Sequence, residues 1–207
     1  MIQEICAIID RSGSMKNKEQ DTIGGINSTI DELRKNKDLG ELIYLTIKFF
    51  DHEEYVFLPK TPIENVNDLN LSDLIPRGQT ALLDVMGNTL YYYIQKKKMD
   101  IYSFDSCIIY IATDGFENCS EKYDNITINN LIIEAEKLNI KLLYLAANQD
   151  AILEASKFGL DSTQAINYSE RPETTESVYR AIATAAKRVR SGGNVSFLAT
   201  ERQASQK

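Results

Sequence analysis

The segment SCIIYIAT, residues 106–113, is apolar at nearly every position. A strand with one face in water alternates apolar and polar residues. A strand without that alternation is buried on both faces, as in a parallel sheet covered by helices. Residues 2–9 and 140–147 read as buried strands of the same kind. Between and after them the apolar residues recur at helical spacing. Ile23, Ile26, Ile30 and Leu33 do so over 19–36, and Leu82, Val85, Met86, Leu90, Tyr93 and Ile94 over 81–97. Ile128, Leu131, Ile132, Ala135 and Leu138 mark a helix over 127–139, and Val178, Ala181, Ile182, Ala185 and Val189 one over 172–190.

Strands that alternate with helices predict an α/β fold, a doubly wound Rossmann-like sheet with helices on both faces. ELIYLTIKFF (41–50) and YVFLP (55–59), joined by DHEE, predict a hairpin that adds one antiparallel edge strand. Residues 60–79, with Pro62, Pro76 and Gly78, read as irregular. A short helix over 150–158 is expected to stop near Gly159, and a short strand to follow at 163–166. The 207 residues suit a single domain over 1–190, with 191–207 a polar, mobile tail after the SGGN stop.

Several function classes are disfavoured at once. A net charge of −7 argues against a general nucleic-acid or anionic-membrane binder. No apolar run is long enough to span a membrane, and the N-terminus lacks the pattern of a secretory signal. Cys6 and Cys107 lie in apolar runs and Cys119 in a polar loop, with no C-x-x-C pair. That usage fits a reducing, cytoplasmic setting rather than a disulfide framework.

In open α/β sheets ligands bind beyond the carboxyl ends of the strands, where the topology switches direction. The polar residues at those ends are therefore the candidates. Asp10, Ser12 and Ser14 follow the first strand in IIDRSGSM, Asp114 follows the 106–113 strand in TDGFEN, and Thr80 closes RGQT before a helix. Two carboxylates and three hydroxyls form an all-oxygen set that suits Mg²⁺, with Mn²⁺ or Ca²⁺ as alternatives. Zinc prefers nitrogen and sulfur, and His52 is the sole histidine. Two aspartates balance one divalent ion and the hydroxyls add no charge; where the aspartates act partly through water, the ion stays electrophilic towards an outside carboxylate. Gly13 lets the turn approach the ion closely. Thr80 also reads as a helix N-cap, and Asp114 as a turn aspartate.

DRSGSM matches the D-x-S-x-S signature of von Willebrand factor A (VWA) domains, which include integrin I domains, and Thr80 and Asp114 match that family's separate threonine and later aspartate. The chain resembles this family over about residues 1–190, and its unadorned form is similar to stand-alone bacterial or phage members. The resemblance implies an intact metal-ion-dependent adhesion site. It implies Ser12, Ser14 and Thr80 as direct ligands, and Asp10 and Asp114 as ligands either directly or through water. It further implies a protein partner that supplies an Asp or Glu side chain to the metal. Gly13, Gly78, Gln79, Gly115 and Glu117 are expected on the rim that meets this partner, and the chain is expected to be a monomer and not an enzyme.

Two other readings stand beside it. A haloacid-dehalogenase-type phosphatase also begins with a strand ending in Asp and uses Mg²⁺, but it needs a second Asp where Ser12 stands. No G-x-S-x-G elbow, G-x-G-x-x-G loop or Walker loop is present. A self-associating scaffold would use the aromatic run Tyr91, Tyr92 and Tyr93 and the tail. The DHEE cluster is explained by the hairpin connection, and KKK at 96–98 by a helix C-terminus.

Overall fold

A computed structural model describes residues 1–147, 150–169 and 171–206. In chain order the strands are β1 (Ile2–Asp10), β2 (Leu42–Phe50), β3 (Glu54–Pro62), β4 (Ser106–Thr113), β5 (Ile140–Ala147) and β6 (Ala165–Tyr168). The helices are α1 (Glu19–Lys35), α2 (Leu82–Met99), α3 (Asn125–Lys137), α4 (Ala151–Lys157), α5 (Pro172–Arg190) and α6 (Ala199–Ala204). The strands form one sheet in the order β3-β2-β1-β4-β5-β6. All neighbours run parallel except β2 and β3.

Side chains alternate across the sheet, and each face has its own core. Ile5, Ala7, Ile9, Ile108, Tyr110, Leu143 and Leu145 pack on α1 and α5. Cys6, Ile8, Cys107, Ile109, Ile111, Leu142 and Tyr144 pack under α2, α3 and α4. This double coverage is why β1, β4 and β5 carry almost unbroken apolar runs. Cys6 and Cys107 are buried, and burial pushes the Cys6 thiol up to about 12, so both behave as small hydrophobes. Tyr93 is buried, while Tyr91 and Tyr92 face outwards. Gly159 follows α4 with φ +76°, the left-handed cap expected there.

Two expectations are corrected. β3 does not end at Pro59 but runs on to Pro62. It is an edge strand, where proline's missing N–H leaves no ladder bond unmade. Its register jumps from Ile47↔Leu58 to Leu45↔Thr61, so an extra residue bulges out around Pro59 and Lys60.

The segment after α5 is not a loose tail. Val195 and Phe197 are buried, and Phe197 N–H donates to the Thr163 carbonyl at 2.8 Å. Glu201 accepts two bonds from the Arg188 guanidinium, and Ser205 Oγ donates to the Asn167 carbonyl. α6 thereby docks beside β6, and Lys207 of the expected tail lies outside the described residues.

The chain leaves β1 towards β2 on one side and returns to β4 on the other. The carboxyl ends of β1 and β4 thus flank the point where the topology reverses.

Candidate metal centre

β1 ends in Asp10, whose buried carboxylate closes the turn that follows it: Ser12 N–H donates to Oδ1 at 2.6 Å. The other oxygen, Oδ2, accepts from Thr113 Oγ1 at 2.5 Å, which fastens the end of β1 to the end of β4. A short 3₁₀ turn, Gly13–Met15, brings Ser14 round to the same side as Ser12, with the two Oγ atoms 3.0 Å apart. Ser14 Oγ donates in turn to Asp114 Oδ1 at 2.6 Å, and the Lys18 ammonium pairs with Asp114 Oδ2.

Thr80 arrives from the connection before α2 and is buried. It does not cap that helix. The cap position is Ala81, and the first-turn Leu83 N–H is satisfied by Glu117 Oε2 at 2.9 Å. Asn118 holds Thr80 from both sides, accepting from its N–H at 2.9 Å and donating to its carbonyl at 3.1 Å.

These five side chains, carried by three segments distant in sequence, are gathered around one small space. A Cβ added at Gly115 would stand 3.0 Å from Thr80 Oγ1, 3.3 Å from Ser14 Oγ and 3.6 Å from Asp10 Oδ2. Three oxygens from two segments thus converge on the bare Cα of Gly115, which belongs to a third, with Ser12 and Asp114 one hydrogen bond away through Ser14. The donor set is all oxygen and carries two carboxylates, so it fits a hard divalent cation. Burial pushes the Asp10 carboxyl up to about 6, against the opposing bonds from Thr113 and Ser12. A cation in the cradle would relieve that cost of ionisation.

The rim residues divide. Gly13 and Gly78 are brought together by a bond from Gly13 N–H to the Gly78 carbonyl at 3.1 Å, and Gly78 has φ +70°, which glycine adopts without strain. Gly115 forms the floor, and Gln79 lies between Gly78 and Thr80 on the same exposed loop. Glu117 is corrected. Its carboxylate turns inwards, accepting from the N–H groups of Leu83, Cys119 and Ser120 and from Ser120 Oγ. Its neighbour Phe116 is the exposed side chain.

Several supporting residues gave no signal in the sequence. Asp51, read there as part of a hairpin connection, is wholly buried and joins two of the loops. It pairs with Arg11 at 2.9 Å and accepts from Arg77 at 2.8 Å, while its own backbone carbonyl accepts from Ala81. Asp51, His52 and Glu53 also lie close enough for one ion. Arg11 and Arg77 already balance these carboxylates, which opposes a cation there. Asp84 accepts from the N–H groups of Glu121, Lys122 and Tyr123, binding the loop after β4 onto α2.

Comparison with solved structures supports the architecture. The chain superposes on a von Willebrand factor type A protein from Catenulispora acidiphila with a TM-score of 0.62 at 16% identity, over 90% of this chain and 43% of that one. It superposes on the vWF domain of the type V pili tip protein Mfa5 from Porphyromonas gingivalis with a TM-score of 0.62 at 10% identity, over 92% and 95%. For the PilB minor pilin from Streptococcus sanguinis the values are 0.57 and 14%, over 90% and 61%. The chain therefore spans less than half of the first of these proteins and nearly all of the second. No protein-family model and no curated protein sequence matches the chain. The fold is that of VWA domains, a mostly parallel Rossmann-like sheet with one antiparallel edge.

Proposed function

We propose that this chain is a protein-interaction module whose partner supplies a carboxylate to a divalent cation, preferably Mg²⁺, held by Asp10, Ser12, Ser14, Thr80 and Asp114. The observation that carries the reading is the convergence of Thr80 Oγ1, Ser14 Oγ and Asp10 Oδ2 on the bare face of Gly115. The hydroxyls would hold the ion without cancelling its charge. The ion would then act as a local positive focus on a chain whose overall charge is −7. Gly13, Gly78, Gln79 and Gly115 form the rim a partner would meet, with Phe116 beside them as an exposed apolar contact.

The reading assigns no catalysis, no nucleic-acid partner and no membrane partner, and it takes the module to be a cytoplasmic monomer of bacterial or phage type. Among the described residues, no helix is long and apolar enough to cross a membrane. The domain match to a pilus tip protein gives the interaction reading support from fold alone.

The test is a pull-down with wild-type protein and Asp10→Ala, each with Mg²⁺ and with a chelator, beside direct Mg²⁺ titration. The expected outcome is one partner set retained only by wild type with metal, with circular dichroism unchanged in the variant. Partner capture that ignores both the chelator and the substitution overturns the reading.

A further inference from the structure

A second polar recess lies far from the metal ligands, on the face covered by α2. There β2 and β3 overhang the helix, and the even-numbered residues of β2 look into the gap. A pocket of about 250 Å³ is lined by Glu4, Thr46, Lys48, Val56, Lys60, Tyr92 and Lys96, among others. Glu4 and Lys48 stand in largely apolar strands, and both are buried. Burying such a network gains little stability over an apolar one of the same volume, so stability alone does not account for it.

The charges do not cancel. The Lys96 ammonium reaches both oxygens of Glu4, at 2.8 and 2.6 Å, and neutralises it. Lys60 then adds a second ammonium to the same carboxylate, at 2.5 Å. Lys48 is balanced by Glu54 and donates to Thr89 Oγ1 at 3.0 Å. The recess thus holds one positive charge in excess on a strongly acidic chain. An ammonium has three N–H groups, so Lys60 keeps donors beyond the one on Glu4. Lys60 lies over the Tyr44 ring at 4.3 Å, and its side chain is 39% exposed, so an entering molecule can reach it. Val56 and Tyr92 are half-exposed at the mouth and offer a flat apolar wall.

We propose that this recess binds a small oxyanion, a phosphate or carboxylate group carried on a single flat apolar ring, with the anion on Lys60 and Lys96 and the ring against Val56 and Tyr92. The volume is just below the usual range for drug-sized ligands, which limits the guest to about one ring and its anionic group. The site is separate from the candidate metal ligands, since the two lysines that would hold the anion, Lys60 and Lys96, sit on the edge strand and in the last turn of α2 rather than at the carboxyl ends of β1 and β4.

The test uses the full chain in a chelating buffer, titrated with phenyl phosphate, benzoate and inorganic phosphate, and read by calorimetry and by the Tyr92 and Tyr93 ring resonances. One-to-one binding of phenyl phosphate or benzoate is expected, and whichever binds identifies the anion. Lys60→Met should weaken it about tenfold through loss of one charge-assisted bond, while Lys60→Arg keeps it. Lys60→Met leaves Lys96 on Glu4, so the fold is retained, and thermal unfolding verifies this. Absence of heat and of ring shifts with all three probes at about 10 mM, a range in which even weak sites fill, overturns the proposal. So does unchanged binding in Lys60→Met, or inorganic phosphate binding as tightly as phenyl phosphate.

Discussion

The Lys18 ammonium pairs with Asp114 Oδ2 while Ser14 Oγ donates to Oδ1 of the same carboxylate at 2.6 Å. One aspartate therefore serves both the oxygen cradle and a cation belonging to the chain itself. A divalent ion in the cradle would sit beside this ammonium and be repelled by it. Lys18→Met is expected to tighten Mn²⁺ binding about tenfold, a change measurable by titration with electron paramagnetic resonance. Equal or weaker affinity in the variant would show that Lys18 does not oppose the ion.

Gly115 has no side chain at the point where the oxygens converge. In Gly115→Ala the new methyl group would lie 3.0 Å from Thr80 Oγ1 and 3.3 Å from Ser14 Oγ, a tight but local contact. The expected result is loss of detectable Mg²⁺ binding with stability in chelator lowered by only ~1 kcal/mol, as for mild overpacking. Full Mg²⁺ affinity in this variant would remove the cradle from consideration.

Asp10 titrates at about 6 in the folded, metal-free chain because burial disfavours its charged form, against an ordinary value of 3.8. The folded state therefore holds a proton that the unfolded state has released. Stability from this group is complete below about pH 4 and declines as pH rises to about 6, by up to ~3 kcal/mol in total. Urea denaturation in chelator at pH 4.5 and pH 7 should show this decline, and Asp10→Asn should flatten it. Mg²⁺ should restore stability at pH 7 in wild type alone.

Phe197 is buried although it lies beyond α5. Phe197→Ala should cost ~3 kcal/mol in urea denaturation, the usual scale for an emptied aromatic site. Glu201→Gln, which weakens the paired bonds from Arg188, should cost ~1 kcal/mol. A Phe197→Ala variant as stable as wild type would mean that the segment docks without contributing.

The strands and long helices could be read because their causes are local. β4 is apolar from Cys107 to Ala112 since both its faces are covered, and α5 shows its stripe since one side meets the sheet. The five candidate oxygen ligands could be picked out for a related reason, as polar residues set directly at the ends of buried strands or the start of a helix. Asp51 was not, because its partners Arg11 and Arg77 stand 40 and 26 positions away and nothing in DHEE names them. Glu117 looked like a rim residue and proved to satisfy the first turn of α2. Val195 and Phe197 are too few and too close to the polar end to reveal a pattern.

What the sequence by itself determined is the apolar faces of the main strands and helices and which oxygens stand at strand ends, since hydrophobic period and chain punctuation are properties of neighbours along the chain. The tertiary structure alone decided where those oxygens point, how Asp51, Asn118 and Asp84 weld the loops that carry them, and that Lys18 stands beside Asp114. It also set Lys60 and Lys96 on one carboxylate. Charges and hydrogen bonds act over a few ångströms in space, and the topology of the sheet, not separation in sequence, sets which groups come that close.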